Sequence, residues 1–156
     1  MATILLRSIS VRAFLRYWLP LLIWLALIFA GSTDLMSAEH TSRIIAPLLR
    51  WLRPTISWQA IEQLQFFIRK AGHVSEYAIL AALLYRALVN TLLLGRVWIC
   101  ATIVVLLAGI YAISDEFHQS FVPSRTATAR DVAIDAVGAV CGVLVVLMFR
   151  REQARG

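Results

Sequence analysis

Two stretches of this chain run without a charged residue for nearly the thickness of a bilayer: the seventeen residues from Tyr17 to Thr33 and the eighteen from Val97 to Ser114. At about 1.5 Å per helical residue they reach roughly 25–27 Å, close to a hydrocarbon core of about 30 Å. Two more stretches qualify with blemishes. Ala71 to Val89 is interrupted by His73, Glu76 and Arg86, and Val132 to Phe149 by Asp135. The layout predicts an all-α membrane protein with four transmembrane helices, at about 14–31, 71–89, 97–114 and 132–149, forming one domain over 1–156.

Composition supports a lipid solvent. The 156 residues are 60% hydrophobic and 15% charged, against about 45–50% and about 25% in soluble domains. A chain this short buries only about two-thirds of its surface on folding, so the apolar surplus has no core to enter. This excludes an ordinary soluble enzyme, a disordered tail and a disulfide-stapled module; Cys100 and Cys141 fall inside spans, where they pack as small apolar residues. The net charge of +6 is assigned to anionic lipid headgroups and the positive-inside rule, not to nucleic acid.

The first span follows Arg7, Arg12 and Arg16, as in a signal peptide, but Tyr17, Trp18 and Trp24 bound it and further spans follow, so it reads as retained. With four spans and the N-terminus inside, Arg7, Arg12, Arg16, Arg86, Arg96, Arg150, Arg151 and Arg155 are cytoplasmic. Arg43, Arg50, Arg53, Arg69, Lys70, Arg125 and Arg130 lie outside. The cytoplasmic set sits in short flanks, where the rule applies best, so both termini are expected in the cytoplasm of a multi-pass protein. Between the first two spans, Ile44, Ile45, Leu48, Leu49 and Leu52 recur at helical spacing until Pro54. After Ser57, an N-cap type, Ile61, Leu64, Phe67 and Ile68 line another face. Two short amphipathic helices at the bilayer surface are expected, with Trp51 and Trp58 at headgroup depth.

Ionisable groups within or at the mouth of spans are costly and therefore candidates for function. In this layout Lys70, His73, Glu76 and Tyr77 open the second span, Asp115, Glu116, His118 and Gln119 close the third, and Arg125, Arg130, Asp131 and Asp135 precede or open the fourth. All share one membrane face, whereas Asp34, Glu39, His40 and Glu62 read as solvated surface. Lys70, His73 and Tyr77 fall on one helical stripe, as do Asp131, Asp135, Gly138 and Gly142, whose glycines admit a neighbouring helix. Asp135 lies about 6 Å deeper than Asp131 and needs a partner, for which Lys70, His73 and Arg125 are the candidates.

These residue types suit a site for an anion and a mobile proton. Lys70 and Arg125 match phosphate or carboxylate; with Tyr77, Asp131 and Asp135 they form the candidate substrate-binding set. His73, Asp115, Glu116, His118 and Gln119 form the candidate catalytic set, an imidazole relaying a proton and a carboxylate orienting it. No HExxH, paired-cysteine, P-loop or nucleophile-elbow spacing occurs, so no metal is assigned and no cofactor is named. The competing reading is a structural network that fixes helix packing. A transporter fits less well, because its sites belong at the midplane.

The runs Lys70-x-x-His73-x-x-x-Tyr77, Asp115-Glu116-x-x-Gln119-x-x-x-Pro123-x-Arg125 and Asp131-x-x-x-Asp135-x-x-Gly138 resemble the pattern of the VanZ-like family of small bacterial membrane proteins. Asp135 stands where that pattern has Asn, and Ser124 where it has Gly before Arg125. The resemblance implies a bacterial cytoplasmic-membrane protein linked to resistance to the glycopeptide teicoplanin, with membrane lipids and an anionic envelope lipid or glycopeptide-related ligand as partners. It implies no defined reaction, so whether the chain is an enzyme stays open.

Overall fold

The computed structural model describes residues 10–34, 38–92 and 96–153, without the side chains of 38, 39 and 151–153. Arg7 and Arg155 of the charge comparison, and the side chains of Glu39 and Arg151, lie outside what is described.

Ser10 opens the first helix, α1 (Val11–Ser32), by accepting from the Ala13 N–H at 3.2 Å. A π-helical turn at Phe14–Trp18 interrupts it, and the Leu19 N–H bonds back to the Phe14 carbonyl. Pro20 follows directly. It has no N–H to continue the regular ladder, and the wider turn accommodates it. Helix α2 (Ala38–Leu52) ends before Pro54 and carries Ile44, Leu48, Trp51 and Leu52 as exposed apolar residues. The Ser42 hydroxyl ties α2 to Gln65 at 2.8 Å.

Helix α3 (Trp58–Thr91) begins at Ser57, whose side chain accepts from the Ala60 N–H at 3.2 Å. The second short surface helix is therefore not a separate element. It is the first part of a helix of 34 residues that continues through the expected second span, since Gly72 alone does not break a helical run. Helices α4 (Val97–Gln119) and α5 (Ala129–Gln153) complete the chain, and Thr128 caps α5 by accepting from the Asp131 N–H at 3.2 Å.

Three helical stretches, Val11–Ser32, Val97–Gln119 and Ala129–Arg150, are long and apolar enough to cross a membrane. The sequence layout expected four. α3 does not qualify because His73, Glu76 and Arg86 dilute its apolar run, and its position explains why it can carry His73 and Glu76, while Arg86 is exposed. It is the centre of the bundle, with Tyr77, Leu80, Ala81, Leu84, Tyr85 and Leu88 buried. Around it, α1, α4 and α5 expose Leu22, Ile23, Leu27, Leu106, Ile110, Leu144 and Met148 as an apolar outer belt, the pattern of a protein solvated by hydrocarbon.

α3 and α5 run parallel in close contact. Lys70 meets Asp131 at one end, and Arg150 donates to the Tyr85 hydroxyl at 2.9 Å at the other. A Cβ on Gly138 would lie 2.5 Å from the Val74 carbonyl oxygen, and one on Gly142 would overlap the Ala78 carbonyl. Only glycine permits that approach, which places the polar stripe of α3 directly against that of α5. Trp24 donates to the Glu76 carbonyl at 2.9 Å and Tyr111 to the Leu25 carbonyl at 2.8 Å, joining α1 to α3 and to α4.

Candidate functional site

Charge is divided between the two ends of the bundle. One end carries Arg12, Arg16, Arg86, Arg96 and Arg150, and no carboxylate lies there among the described side chains. Arg16 and Arg86 both approach the Tyr17 ring, at 5.5 and 5.3 Å from its centroid. Every described carboxylate lies toward the other end.

There, two adjoining cavities open among α1, α3, α4 and the loop before α5. The outer, of about 250 Å³, is lined by Phe66, Lys70, Ser124, Thr126, Thr128 and Asp131. The inner, of about 130 Å³, is lined by Gly31, Ser32, Thr41, Gly72, Glu76 and Asp115. Arg69, His73, Gln119 and Arg125 line both.

His73 is fixed from behind. Its Nδ1 lies 3.0 Å from Oδ1 of Asp135, which is fully buried. A carboxylate oxygen accepts, so Nδ1 carries the hydrogen and Nε2 is the nitrogen left for a ligand. This is the partner that the depth of Asp135 demanded. It also corrects the expected orienting carboxylates: Asp135, not Asp115 or Glu116, sets the imidazole.

The other candidates divide by location. Lys70 donates to Asp131 at the mouth of the outer cavity. Gln119 donates to Asp115 Oδ2 at 3.0 Å, one turn away as the spacing requires. Glu116 lines neither cavity; its Oε2 accepts from the Thr128 N–H at 2.9 Å and so pins the residue that caps α5. His118 also stands apart, its ring 4.5 Å from Phe29 and its Nδ1 3.4 Å from Ser32 Oγ. Tyr77 is buried and lines neither cavity; its hydroxyl has no partner among the described residues, and its ring lies 6.4 Å from Tyr111.

Arg125 is held by backbone. Its Nε and Nη2 donate to the Thr33 carbonyl at 3.1 and 3.0 Å, and Nη2 also donates to Gly31. Burial pulls the guanidinium below its ordinary value, against which the nearby carboxylates of Asp115, Glu76 and Asp34 act. Ser124, in the position before it, donates to Asp34, so the loop and the end of α1 are stitched together at both residues.

Arg69 escaped the sequence reading, where it counted only toward topology. It lines both cavities, and no carboxylate pairs with it among the described residues. Its spacing to His73 and Glu76, four and seven residues, was the available signal. The hydroxyls of Thr126 and Thr128 carried none, because loop conformation alone brings them to the cavity. Among the described residues, no group of three or more His, Cys, Asp or Glu is arranged to hold a metal ion.

A bundle with an apolar belt and a polar cavity at one end defines a multi-pass helical membrane protein. The chain belongs to the VanZ/LLP1 family, whose model matches residues 17–150. No curated protein and no solved structure matches it.

Proposed function

We propose that this is an inner-membrane protein whose extracytoplasmic cavity binds and modifies an anionic, lipid-linked component of the cell envelope, in the setting of glycopeptide resistance. The His73–Asp135 pair beside three basic side chains carries the reading. Arg69, Lys70 and Arg125 attract the anion, and Asp131 offsets only Lys70. Nε2 of His73 accepts a proton from a water or hydroxyl nucleophile held against the anion, and the buried Asp135 carboxylate stabilises the resulting imidazolium.

The expected orientation puts Arg12, Arg16, Arg86, Arg96 and Arg150, which sit in short flanks, in the cytoplasm and the cavity outside. α3 passes through the bundle sheathed by the three apolar helices, so both described ends of the chain meet the cytoplasmic face. α2 lies along the outer surface, with Trp51 exposed and Arg50 stacked 4.0 Å over the Trp58 ring, a pairing suited to headgroup depth.

A non-enzymatic reading has its own support: Lys70, Glu116 and Arg125 each bond to the protein itself, as members of a packing network would. His73→Gln separates the two. Loss of the resistance or envelope phenotype at unchanged membrane abundance supports the functional site. Loss of abundance in step with the phenotype supports the network.

A further inference from the structure

The two cavities differ in chemistry. The outer one presents Arg69, Lys70 and Arg125 against the single carboxylate of Asp131, and adds the Thr126 and Thr128 hydroxyls. The inner one replaces Lys70 and Asp131 with Glu76 and Asp115. Asp115 is 5% exposed; its Oδ2 accepts from Gln119, while its buried Oδ1 has no donor among the described residues. No donor reaches the Glu76 carboxylate among the described residues. Arg69 and Arg125 are the cations that line this cavity beside the two carboxylates, and Nε and Nη2 of Arg125 are engaged by the Gly31 and Thr33 carbonyls. A buried carboxylate oxygen left without a donor is unfavourable, and here it belongs to a residue that lines a cavity of about 130 Å³.

We infer that the ligand is zwitterionic, with a phosphate in the outer cavity and a primary ammonium on a short arm in the inner one, the chemistry of phosphoethanolamine. This rests on the anion-binding reading above. The inner cavity has the room of about four waters at about 30 Å³ each, enough for two carbons and a nitrogen. An ammonium brings three donors, which serve Asp115 Oδ1 and the Glu76 carboxylate together. A trimethylammonium carries the same charge and no N–H. The phosphoethanolamine group occurs on a membrane lipid and as a free metabolite, and either source fits the polar contacts.

Calorimetric titration of the detergent-purified full chain tests this with three probes: phosphoethanolamine, ethyl phosphate and phosphocholine. Phosphoethanolamine is expected to bind at least tenfold more tightly than the other two, and the Glu76→Gln/Asp115→Asn variant is expected to lose that margin while keeping its affinity for ethyl phosphate. The wild-type series decides even where the variant does not fold. Equal affinities for all three overturn the zwitterion and leave the anion site standing, whereas no binding of any probe overturns both. Dihexanoyl phosphatidylethanolamine binding more tightly than phosphoethanolamine assigns the source to the lipid, and weaker binding assigns it to the free metabolite.

Discussion

Gly138→Ala disturbs the contact that builds the site, and its effect can be worked from distances. The new Cβ lies 2.5 Å from the Val74 carbonyl oxygen, on the residue next to His73 and one turn beyond Asp135. To reach even a tight contact of 3.0–3.4 Å, the helices must separate by about 0.5–0.9 Å, because a packed interior leaves no slack. The His73–Asp135 bond, now 3.0 Å, then stretches to about 3.5–3.9 Å, beyond hydrogen-bonding range. The overpacking costs about 1–3 kcal/mol. The control is Gly109→Ala on α4, where a Cβ meets nothing within 4 Å and helix propensity favours alanine by about 1 kcal/mol. Thermal unfolding in detergent, with the envelope phenotype scored in parallel, reads both. Gly138→Ala lowers the midpoint and the activity, while Gly109→Ala holds or raises the midpoint. If Gly138→Ala matches wild type in both measurements, α3 and α5 do not meet as described and the derivation of the dyad fails.

Other perturbations test the rest of the site. Arg125→Lys keeps the charge but cannot reproduce the forked bonds to Gly31 and Thr33, so it should destabilise the bundle by about 2 kcal/mol in the same unfolding assay. Lys70→Met and Asp131→Asn should each destabilise more than their combination implies, giving a coupling of about 1 kcal/mol or more in a double-mutant cycle; strict additivity would mean that they do not pair. His118→Phe should leave the envelope phenotype intact, because the ring packs on Phe29 outside both cavities.

Sequence patterning reached the helical architecture and the end of the bundle where polar groups gather, for identifiable reasons. Uncharged runs mark lipid-facing helices directly, and the glycine stripe on α5 marked the close approach that Val74 and Ala78 make visible. The central helix was harder. An apolar run is the signal of a helix exposed to lipid, and α3, enclosed by its neighbours, can carry His73 and Glu76 without it, while Arg86 is exposed at the arginine end. Pairing across helices was also out of reach beyond a short list of candidates: spacing along one helix says that Asp135 needs a partner, while register between helices decides that it is His73. Glu116 and His118 share a turn with Asp115 in sequence, yet α4 directs them to the α5 cap and to Phe29, away from the cavities.

In the proposed function, His73, held by Asp135, acts on an anionic envelope component outside the cytoplasm. Its most direct test compares, by mass spectrometry, the envelope lipids and peptidoglycan precursors of a deletion strain complemented with wild type or with His73→Gln at matched membrane abundance. One species is expected to change on deletion, with wild type restoring it and His73→Gln failing to do so. Full restoration by His73→Gln, or identical profiles in all three strains, would contradict the proposed function.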